Sequence, residues 1–157
     1  ILLGLVGSEM CIRDRRHNSH SKDLNRDWGF FTQLETKIIN DDIMTSIKNN
    51  EAILLIDFHS TIENIFYIQN EDDLKGYKFA NEWLSKNSNN LKNYEYSIKP
   101  TVNKKNGVAK NYFNSVFSIP TITYEVGDNT NREAIKSAAR KFANSMMIIL
   151  LNDDSTT

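Results

Sequence analysis

The sequence predicts an α/β fold, with a mixed, largely parallel sheet flanked by helices. Residues 52–58 form a run that is apolar apart from Asp57, as expected of a strand buried on both faces. Residues 121–126 form a second strand-like run, in which Glu125 is the only charged residue. Helical patterns alternate with these runs, and this alternation is typical of parallel sheets covered by helices.

The elements in the first half of the chain follow from apolar periodicity. A helix is predicted over residues 31–50, because apolar side chains recur there at helical spacing. Those side chains are Leu34, Ile38, Ile39, Ile43 and Ile47. After the strand at 52–58, residues 65–69 predict a shorter strand and residues 74–84 predict a second helix. The apolar face of that helix is formed by Tyr77, Ala80, Trp83 and Leu84.

The second half begins with weaker signals. A short strand is predicted over residues 94–98, followed by a loop over 99–107 that carries Pro100 and Gly107. A short helix over 108–116 leads into the strand at 121–126.

A long final helix closes the chain. Thr130 and Glu133 have the spacing of a capping box, which predicts where that helix begins. It runs to about Leu151 and is followed by a polar tail over residues 152–157. We therefore expect residues 16–151 to form one domain.

Composition limits the function classes. The chain has 157 residues, with 19 basic and 20 acidic side chains and a net charge of −1. This balance gives no electrostatic reason to expect nucleic acid or an anionic membrane as a partner. Cys11 is the only cysteine, which excludes a disulfide framework and a cysteine-based zinc site.

Residues 1–15 are predicted to be a non-native segment. The apolar run at 1–6 is shorter than the roughly 20 residues that span a bilayer, and no positive region precedes it as in a signal peptide. Residues 9–14 resemble the translation of a transposon-end adapter used in preparing sequencing libraries. We expect the native sequence to begin near Arg16, with an unknown length missing upstream. The alternative is a true N-terminal strand at 1–6. The sequence indicates no compartment.

His59 is the first candidate for chemistry. It ends the strongest predicted strand, and ligands gather at the carboxyl ends of parallel strands. A neutral imidazole there can ligate zinc. Asp57 lies on the same face of the strand and can orient His59. The alternative is a hydrogen-bonded histidine that closes a strand.

Glu125 is the second candidate. A carboxylate in an otherwise uncharged strand costs free energy unless it is paired or useful. Partial burial raises a carboxyl pKa, as a general base requires. The alternative is a carboxylate that accepts backbone N–H bonds at the end of the strand.

Asn25 and Arg26 form the third candidate. Arginine can hold a planar carboxylate through two parallel hydrogen bonds, and asparagine can add a donor. The alternative is a surface arginine paired with Asp23 or Asp27.

These three motifs, in this order, resemble the zinc carboxypeptidases of the M14 metallopeptidase family. Residues 23–29 (Asp-Leu-Asn-Arg-Asp-Trp-Gly) resemble the family's motif for the substrate carboxylate. Residues 57–60 (Asp-Phe-His-Ser) resemble the segment with its third zinc ligand. Residues 123–127 (Thr-Tyr-Glu-Val-Gly) resemble the strand with its catalytic glutamate. The resemblance covers residues 16 to about 151 and implies that they form a partial catalytic domain.

The resemblance implies zinc-dependent hydrolysis of C-terminal peptide bonds. His59 would ligate the zinc, whose bound water has a lowered pKa. Glu125 would accept the proton of that water and pass it to the leaving amine. Asn25 and Arg26 would hold the free carboxylate of the substrate, and Arg16 would stabilise the oxyanion.

Two further residues are implied as substrate contacts. Ser60 follows the zinc ligand, and Lys110 falls near the floor of the family's specificity pocket. A lysine there would suit an acidic side chain, whereas the alternative for Lys110 is a solvated lysine on a helix. The family's substrate-closing tyrosine falls near Asn103, where this sequence has none.

The family's other two zinc ligands are also missing. They belong to an upstream His-x-x-Glu motif, and the only histidines here are His17, His20 and His59. A hydrolytic zinc site usually has three protein ligands. We therefore expect the other two to lie upstream of an N-terminally truncated fragment, and this chain alone to be inactive.

Two other functions remain open. Zinc amidohydrolases of the succinylglutamate desuccinylase and aspartoacylase type also bind a substrate carboxylate through an Asn-Arg pair. A non-catalytic peptide- or carbohydrate-binding module is the second alternative. The run at 123–128 and the long closing helix favour the peptidase. The expected partner is a peptide or amino-acid derivative with a free carboxylate, not a nucleic acid.

Overall fold

The computed structural model describes residues 3–5, 16–46, 52–87, 91–101 and 107–153. The strands are β1 (Leu3–Leu5), β2 (Leu55–Thr61), β3 (Ile65–Gln69), β4 (Ser97–Thr101) and β5 (Thr121–Gly127). The helices are α1 (Leu34–Ser46), α2 (Leu74–Ser85), α3 (Ala109–Phe117) and α4 (Arg132–Asp153). A short 3-10 helix covers Leu24–Arg26.

The five strands form one mixed sheet in the order β1-β2-β5-β3-β4. The neighbours β1 and β2, β2 and β5, and β3 and β4 are parallel, whereas β3 runs antiparallel to β5. This arrangement confirms the predicted α/β fold with a largely parallel sheet. β2 and β5, the two strands that the sequence indicates most strongly, lie side by side.

Each face of the sheet is covered by helices. On one face, apolar side chains of β2, β3 and β5 pack with α2 and α4, around Phe66, Trp83 and Phe142. On the other face, a smaller cluster that includes Trp28 and Phe113 packs with Leu55 of β2. This second face, which we call the α1/α3 face, receives every other residue of β2 and β5 because strand side chains alternate.

Several predicted boundaries differ from the observed ones. The first helix begins at Leu34 rather than at Phe31, because Phe31 has φ +52° and so lies outside the helical region. Its predicted end, residues 47–50, lies outside the described residues. The short strand predicted at 94–98 is found at Ser97–Thr101, so Pro100 belongs to a strand and not to a loop. β4 is at the edge of the sheet, where a missing N–H is tolerated.

The start of α4 also corrects a prediction. The Oδ1 atom of Asn131 accepts hydrogen bonds from the backbone N–H groups of Glu133 (2.9 Å) and Ala134 (3.1 Å). The Thr130 hydroxyl instead donates to Asn64, at 3.2 Å. Asn131 is therefore the N-cap, and the predicted capping box of Thr130 is wrong. The helix continues to Asp153, so the predicted polar tail does not begin at residue 152.

The N-terminal strand β1 pairs in parallel with Leu55–Asp57 of β2. The alternative expectation of a strand within residues 1–6 agrees with this pairing. The non-native origin of residues 1–15 stays a prediction. Within the described ranges, no helix combines the length and the apolar character that a membrane span requires.

Candidate active site

The pairing of β2 with β5 brings two of the predicted site residues together. In the register of these parallel strands, His59 is the partner of Glu125, and Asp57 is the partner of Thr123. All four side chains lie on the α1/α3 face because they occupy alternate positions. The imidazole and the carboxylate thus stand side by side near the carboxyl ends of both strands, where ligands of α/β sheets bind.

Asp57 orients His59. The Nε2 atom of His59 lies 2.8 Å from Oδ2 of Asp57. An ionised carboxylate only accepts hydrogen bonds, so Nε2 is the donor. This hydrogen bond is the main reason that the pKa of His59 is raised, and burial opposes it. Because Nε2 is engaged, Nδ1 is the nitrogen through which His59 could ligate a metal.

Glu125 is a half-buried carboxylate with one unsatisfied oxygen. Its Oε2 atom is shielded from solvent and has no hydrogen-bond partner among the described residues. Burial raises the pKa of Glu125, whereas the neighbouring charges of His59 and Arg16 lower it. A buried acceptor that lacks a donor is uncommon in a folded protein, so Oε2 of Glu125 can accept a hydrogen bond or a proton from a bound molecule.

Asn25 extends this group of side chains. It lies in the 3-10 helix Leu24–Arg26, whose first turn is capped by Asp23 Oδ1, 3.0 Å from the Asn25 backbone nitrogen. The Nδ2 atom of Asn25 is 3.4 Å from Nε2 of His59. The exposed Arg26 donates through Nη1 to the Asn25 carbonyl, at 2.6 Å. The loop therefore places Asn25 directly beside His59.

Asp27 anchors this loop. Although burial would raise its pKa, hydrogen bonds from the Thr32 and Thr36 hydroxyls and from the Gln33 and Thr32 backbone N–H groups lower it to about 2. The carboxylate is buried, at 6% exposure, and ties the Asn25–Arg26 loop to the start of α1. Asp27 is thus a structural residue of the motif and not a partner of Arg26.

We expect the stability contributed by Asp27 to depend on pH. Its folded pKa, about 2, is below the unfolded value of 3.8, so the contribution is present above pH 4 and is lost as pH falls toward 2. The difference in unfolding free energy between the unchanged chain and Asp27→Asn should shrink by about 2 kcal/mol over that window. Urea titrations at pH 5 and pH 2 measure it. A pH-independent difference would contradict this assignment.

Arg16 and Ser60 are two further predicted site residues. Arg16 donates through Nε to Asp23 Oδ2 at 2.8 Å, and its charge lowers the pKa of Glu125. Ser60 alternates with His59, so its side chain lies on the opposite face of the sheet. The substrate roles predicted for these two residues stay predictions.

Lys110 is buried rather than solvated. Its side chain is 4% exposed in α3, and burial lowers its pKa to about 8, against the opposing charge of Asp73. The alternative of a solvated helix lysine is therefore wrong. Its predicted role as a substrate contact stays a prediction. The position near Asn103 lies outside the described residues.

The described residues do not fit a complete zinc site. Among them, no group of three or more histidine, cysteine, aspartate or glutamate side chains could hold a metal ion. His20 is exposed on the loop before Asp23, and Asp23 is already bonded to Arg16. A hydrolytic zinc site usually has three protein ligands, and the role of His59 as one of them stays a prediction.

Sequence reasoning missed residues that hold the site together. Gly107 has φ +90° and lies directly against the backbone of Arg26. The backbone N–H of Trp28 donates to the Gly107 carbonyl at 3.1 Å. Asn64 accepts through Oδ1 from the N–H of Gly127, two residues after Glu125, at 2.8 Å. The position of Gly107 just before a predicted helix indicates a special backbone conformation. The role of Asn64 depends on strand pairing, which the sequence does not show.

Comparison with known proteins yields only structural matches. No family model matches the chain, and no curated protein matches it in sequence. Three similar solved structures are a metallo-carboxypeptidase from Burkholderia cenocepacia, bovine thrombin-activatable fibrinolysis inhibitor in complex with tick carboxypeptidase inhibitor, and a Pseudomonas aeruginosa metallo-carboxypeptidase in complex with (2-guanidinoethylmercapto)succinic acid. Their identities to this chain are 17%, 14% and 16%, and their TM-scores are 0.61, 0.66 and 0.57.

The matches cover most of this chain but less of each neighbour. They include 90%, 95% and 87% of this chain, and 41%, 60% and 41% of the respective neighbours. At these identities the likeness concerns the fold. The chain thus has the mixed, mostly parallel sheet and flanking helices of the carboxypeptidase-like fold, over about half of the length of the solved structures that it matches.

Proposed function

We propose that this chain is part of a zinc metallocarboxypeptidase, which removes the C-terminal residue of a peptide with a free carboxylate. One observation carries the proposal: the β2–β5 register sets His59 beside the half-buried Glu125, with Asn25 3.4 Å from His59. A histidine, a carboxylate with an unsatisfied oxygen and an amide beside an arginine match the three functional groups that this reaction needs. The similarity to metallo-carboxypeptidase structures supports it at the level of the fold.

Each residue has a separate role in this proposal. Bound zinc would activate a water molecule and polarise the scissile carbonyl. Glu125 accepts a proton through its carboxylate, and its raised pKa favours holding that proton until the leaving amine takes it. Asn25 and Arg26 bind the terminal carboxylate of the substrate, which restricts cleavage to the last peptide bond. Arg16 contributes positive charge near Glu125, where the oxyanion would develop.

The remaining zinc ligands are proposed to lie upstream of this chain. His59 provides one ligand, and we propose that a His-x-x-Glu pair encoded before Arg16 provides the other two. On this proposal, zinc-dependent activity would require those upstream residues.

Zinc content tests the role of His59. In protein expressed with the coding sequence that precedes Arg16, we expect about one zinc per chain and a loss of most of it in His59→Ala, since removing one of three ligands weakens the site strongly. His20→Ala is the matched control, because His20 is an exposed histidine on a loop. Zinc content can be measured by elemental analysis after dialysis. Equal zinc in both variants would exclude His59 as a ligand.

The substrate preference of the same zinc-loaded protein distinguishes the competing functions. A peptidase should hydrolyse a short peptide faster than an N-acyl amino acid. The reverse preference would favour an amidohydrolase of the aspartoacylase type. Absence of a His-x-x-Glu motif in the upstream coding sequence would instead favour the non-catalytic binding module.

A further inference from the structure

The first turn of α3 is capped from a distant part of the chain. Ala109 is the first residue of this helix, so its N–H has no partner within the helix. The preceding residue, Val108, offers no side-chain cap. The Ala109 N–H instead donates to Oδ1 of Asn25 at 2.9 Å, a residue 84 positions earlier. Asn25 therefore acts as the helix cap that α3 lacks locally.

This bond determines which way the Asn25 amide faces. A backbone N–H is only a donor, so the atom that faces Ala109 must be the amide oxygen. The amino group Nδ2 then faces His59. Since Nε2 of His59 donates to Asp57 at 2.8 Å, it cannot also accept from Asn25. Among the described residues, Nδ2 thus keeps its hydrogens available for an acceptor on a bound molecule.

Gly107 holds the two segments at this distance. Trp28 and Gly107 form a backbone bridge beside the Asn25–Arg26 loop. A Cβ atom at Gly107 would lie 2.5 Å from the Arg26 carbonyl oxygen and 2.7 Å from its carbonyl carbon. Only glycine permits this approach, and the positive φ of Gly107 adds to that requirement.

We propose that Asn25 has two coupled functions, in which its Oδ1 caps α3 and thereby presents its Nδ2 as a fixed donor to the carboxylate of a substrate. Ala109 and Gly107 are the positioning residues of this carboxylate site. The donor end of the amide selects a group with acceptor oxygens, such as a carboxylate, and disfavours an amine. This inference rests on the proposed function for the identity of the ligand, and the capping function stands on the Ala109 contact alone.

Substitutions at Asn25 separate the two functions in the 157-residue chain. In Asn25→Asp, a carboxylate oxygen can still cap Ala109, and its negative charge suits a helix N-terminus. The donor that faces the ligand is lost, and a repelling charge replaces it. In Asn25→Ala, both the cap and the donor are lost. A merely structural role would make Asn25→Asp equivalent to the unchanged chain in every measurement.

Two NMR measurements test the proposal. Hydrogen exchange of the Ala109 N–H should be slow in the unchanged chain and in Asn25→Asp, and roughly tenfold or more faster in Asn25→Ala, as expected for loss of about one hydrogen bond. Titration with N-acetylglycine, with N-acetylglycinamide as the uncharged comparison, should shift the Asn25 and Arg26 signals saturably. Asn25→Asp should weaken that binding by roughly tenfold or more, because a hydrogen bond to a charged group is lost.

Glycine variants test the positioning residues. Gly107→Ala should accelerate exchange at Ala109 and weaken N-acetylglycine binding. Lys78→Ala is the control, because Lys78 is exposed on α2 and lies outside both the Asn25–Arg26 loop and α3. It should leave both readings close to those of the unchanged chain.

The outcomes distinguish this inference from the proposed function. Equal exchange at Ala109 in Asn25→Ala and the unchanged chain would overturn the capping function. Undiminished N-acetylglycine binding by Asn25→Asp would overturn the fixed-donor function. If the unchanged chain showed no saturable shift with N-acetylglycine, the proposed carboxylate site and the donor function would both be rejected, whereas slow exchange at Ala109 would still support the cap.

Discussion

Glu125→Gln is expected to lower turnover of the complete, zinc-loaded protein by roughly 10²–10⁴-fold, the range typical of general-base removal. Glutamine has nearly the same shape as glutamate but cannot accept a proton at neutral pH. The partly buried position and raised pKa of Glu125 are the properties that the substitution removes. Because Glu125 is proposed as a base and not as a ligand, the zinc content should stay unchanged.

The control for this prediction is Glu133→Gln, which changes a glutamate side chain that is 80% exposed in the first turn of α4. It should leave turnover and zinc content unaffected. Peptide hydrolysis under saturating substrate, with zinc measured on the same samples, gives both quantities. Turnover of Glu125→Gln within threefold of the control would reject Glu125 as the base.

Phe66→Ala is expected to destabilise the chain by about 3–5 kcal/mol, the usual cost of removing a buried aromatic ring. Phe66 is fully buried in β3, where its ring stacks on Tyr124 at 4.1 Å and meets Phe142 edge to face at 5.1 Å. Tyr124 directly precedes Glu125 in β5. Loss of the ring therefore removes packing beneath the strand that carries the proposed base.

Phe30→Ala is the matched control, since the same side chain is removed at a position that is 58% exposed. It should change the unfolding free energy by about 0.5 kcal/mol or less. Urea denaturation of the 157-residue chain measures both variants. If Phe66→Ala cost no more than Phe30→Ala, the described packing of β3 against α4 would be incorrect.

The sequence predicted the elements of this fold better than their contacts. Strands buried on both faces have a strong local signal, so β2 and β5 could be located from composition alone. The shared face of Asp57 and His59 followed from strand alternation. The pairing of His59 with Glu125 is non-local, because 66 positions separate the two residues and no local pattern sets their register.

The errors have physical causes of the same kind. Asn131, and not Thr130, caps α4 because the Thr130 hydroxyl donates to Asn64 on a different segment. The burial of Lys110 depends on how α3 packs on the sheet, which apolar spacing does not determine. The cap of α3 by Asn25 joins residues 84 positions apart, so local capping rules could not find it.

We propose that the site around His59, Glu125 and Asn25 cleaves the last peptide bond of a substrate with a free carboxylate. The most direct test compares one peptide with its C-terminally amidated form, using zinc-loaded protein that includes the coding sequence before Arg16. We expect release of the C-terminal residue from the free acid, at a rate roughly 100-fold above that for the amide, because two charged hydrogen bonds are lost with the carboxylate. Equal rates, or cleavage at internal bonds, would contradict the claim.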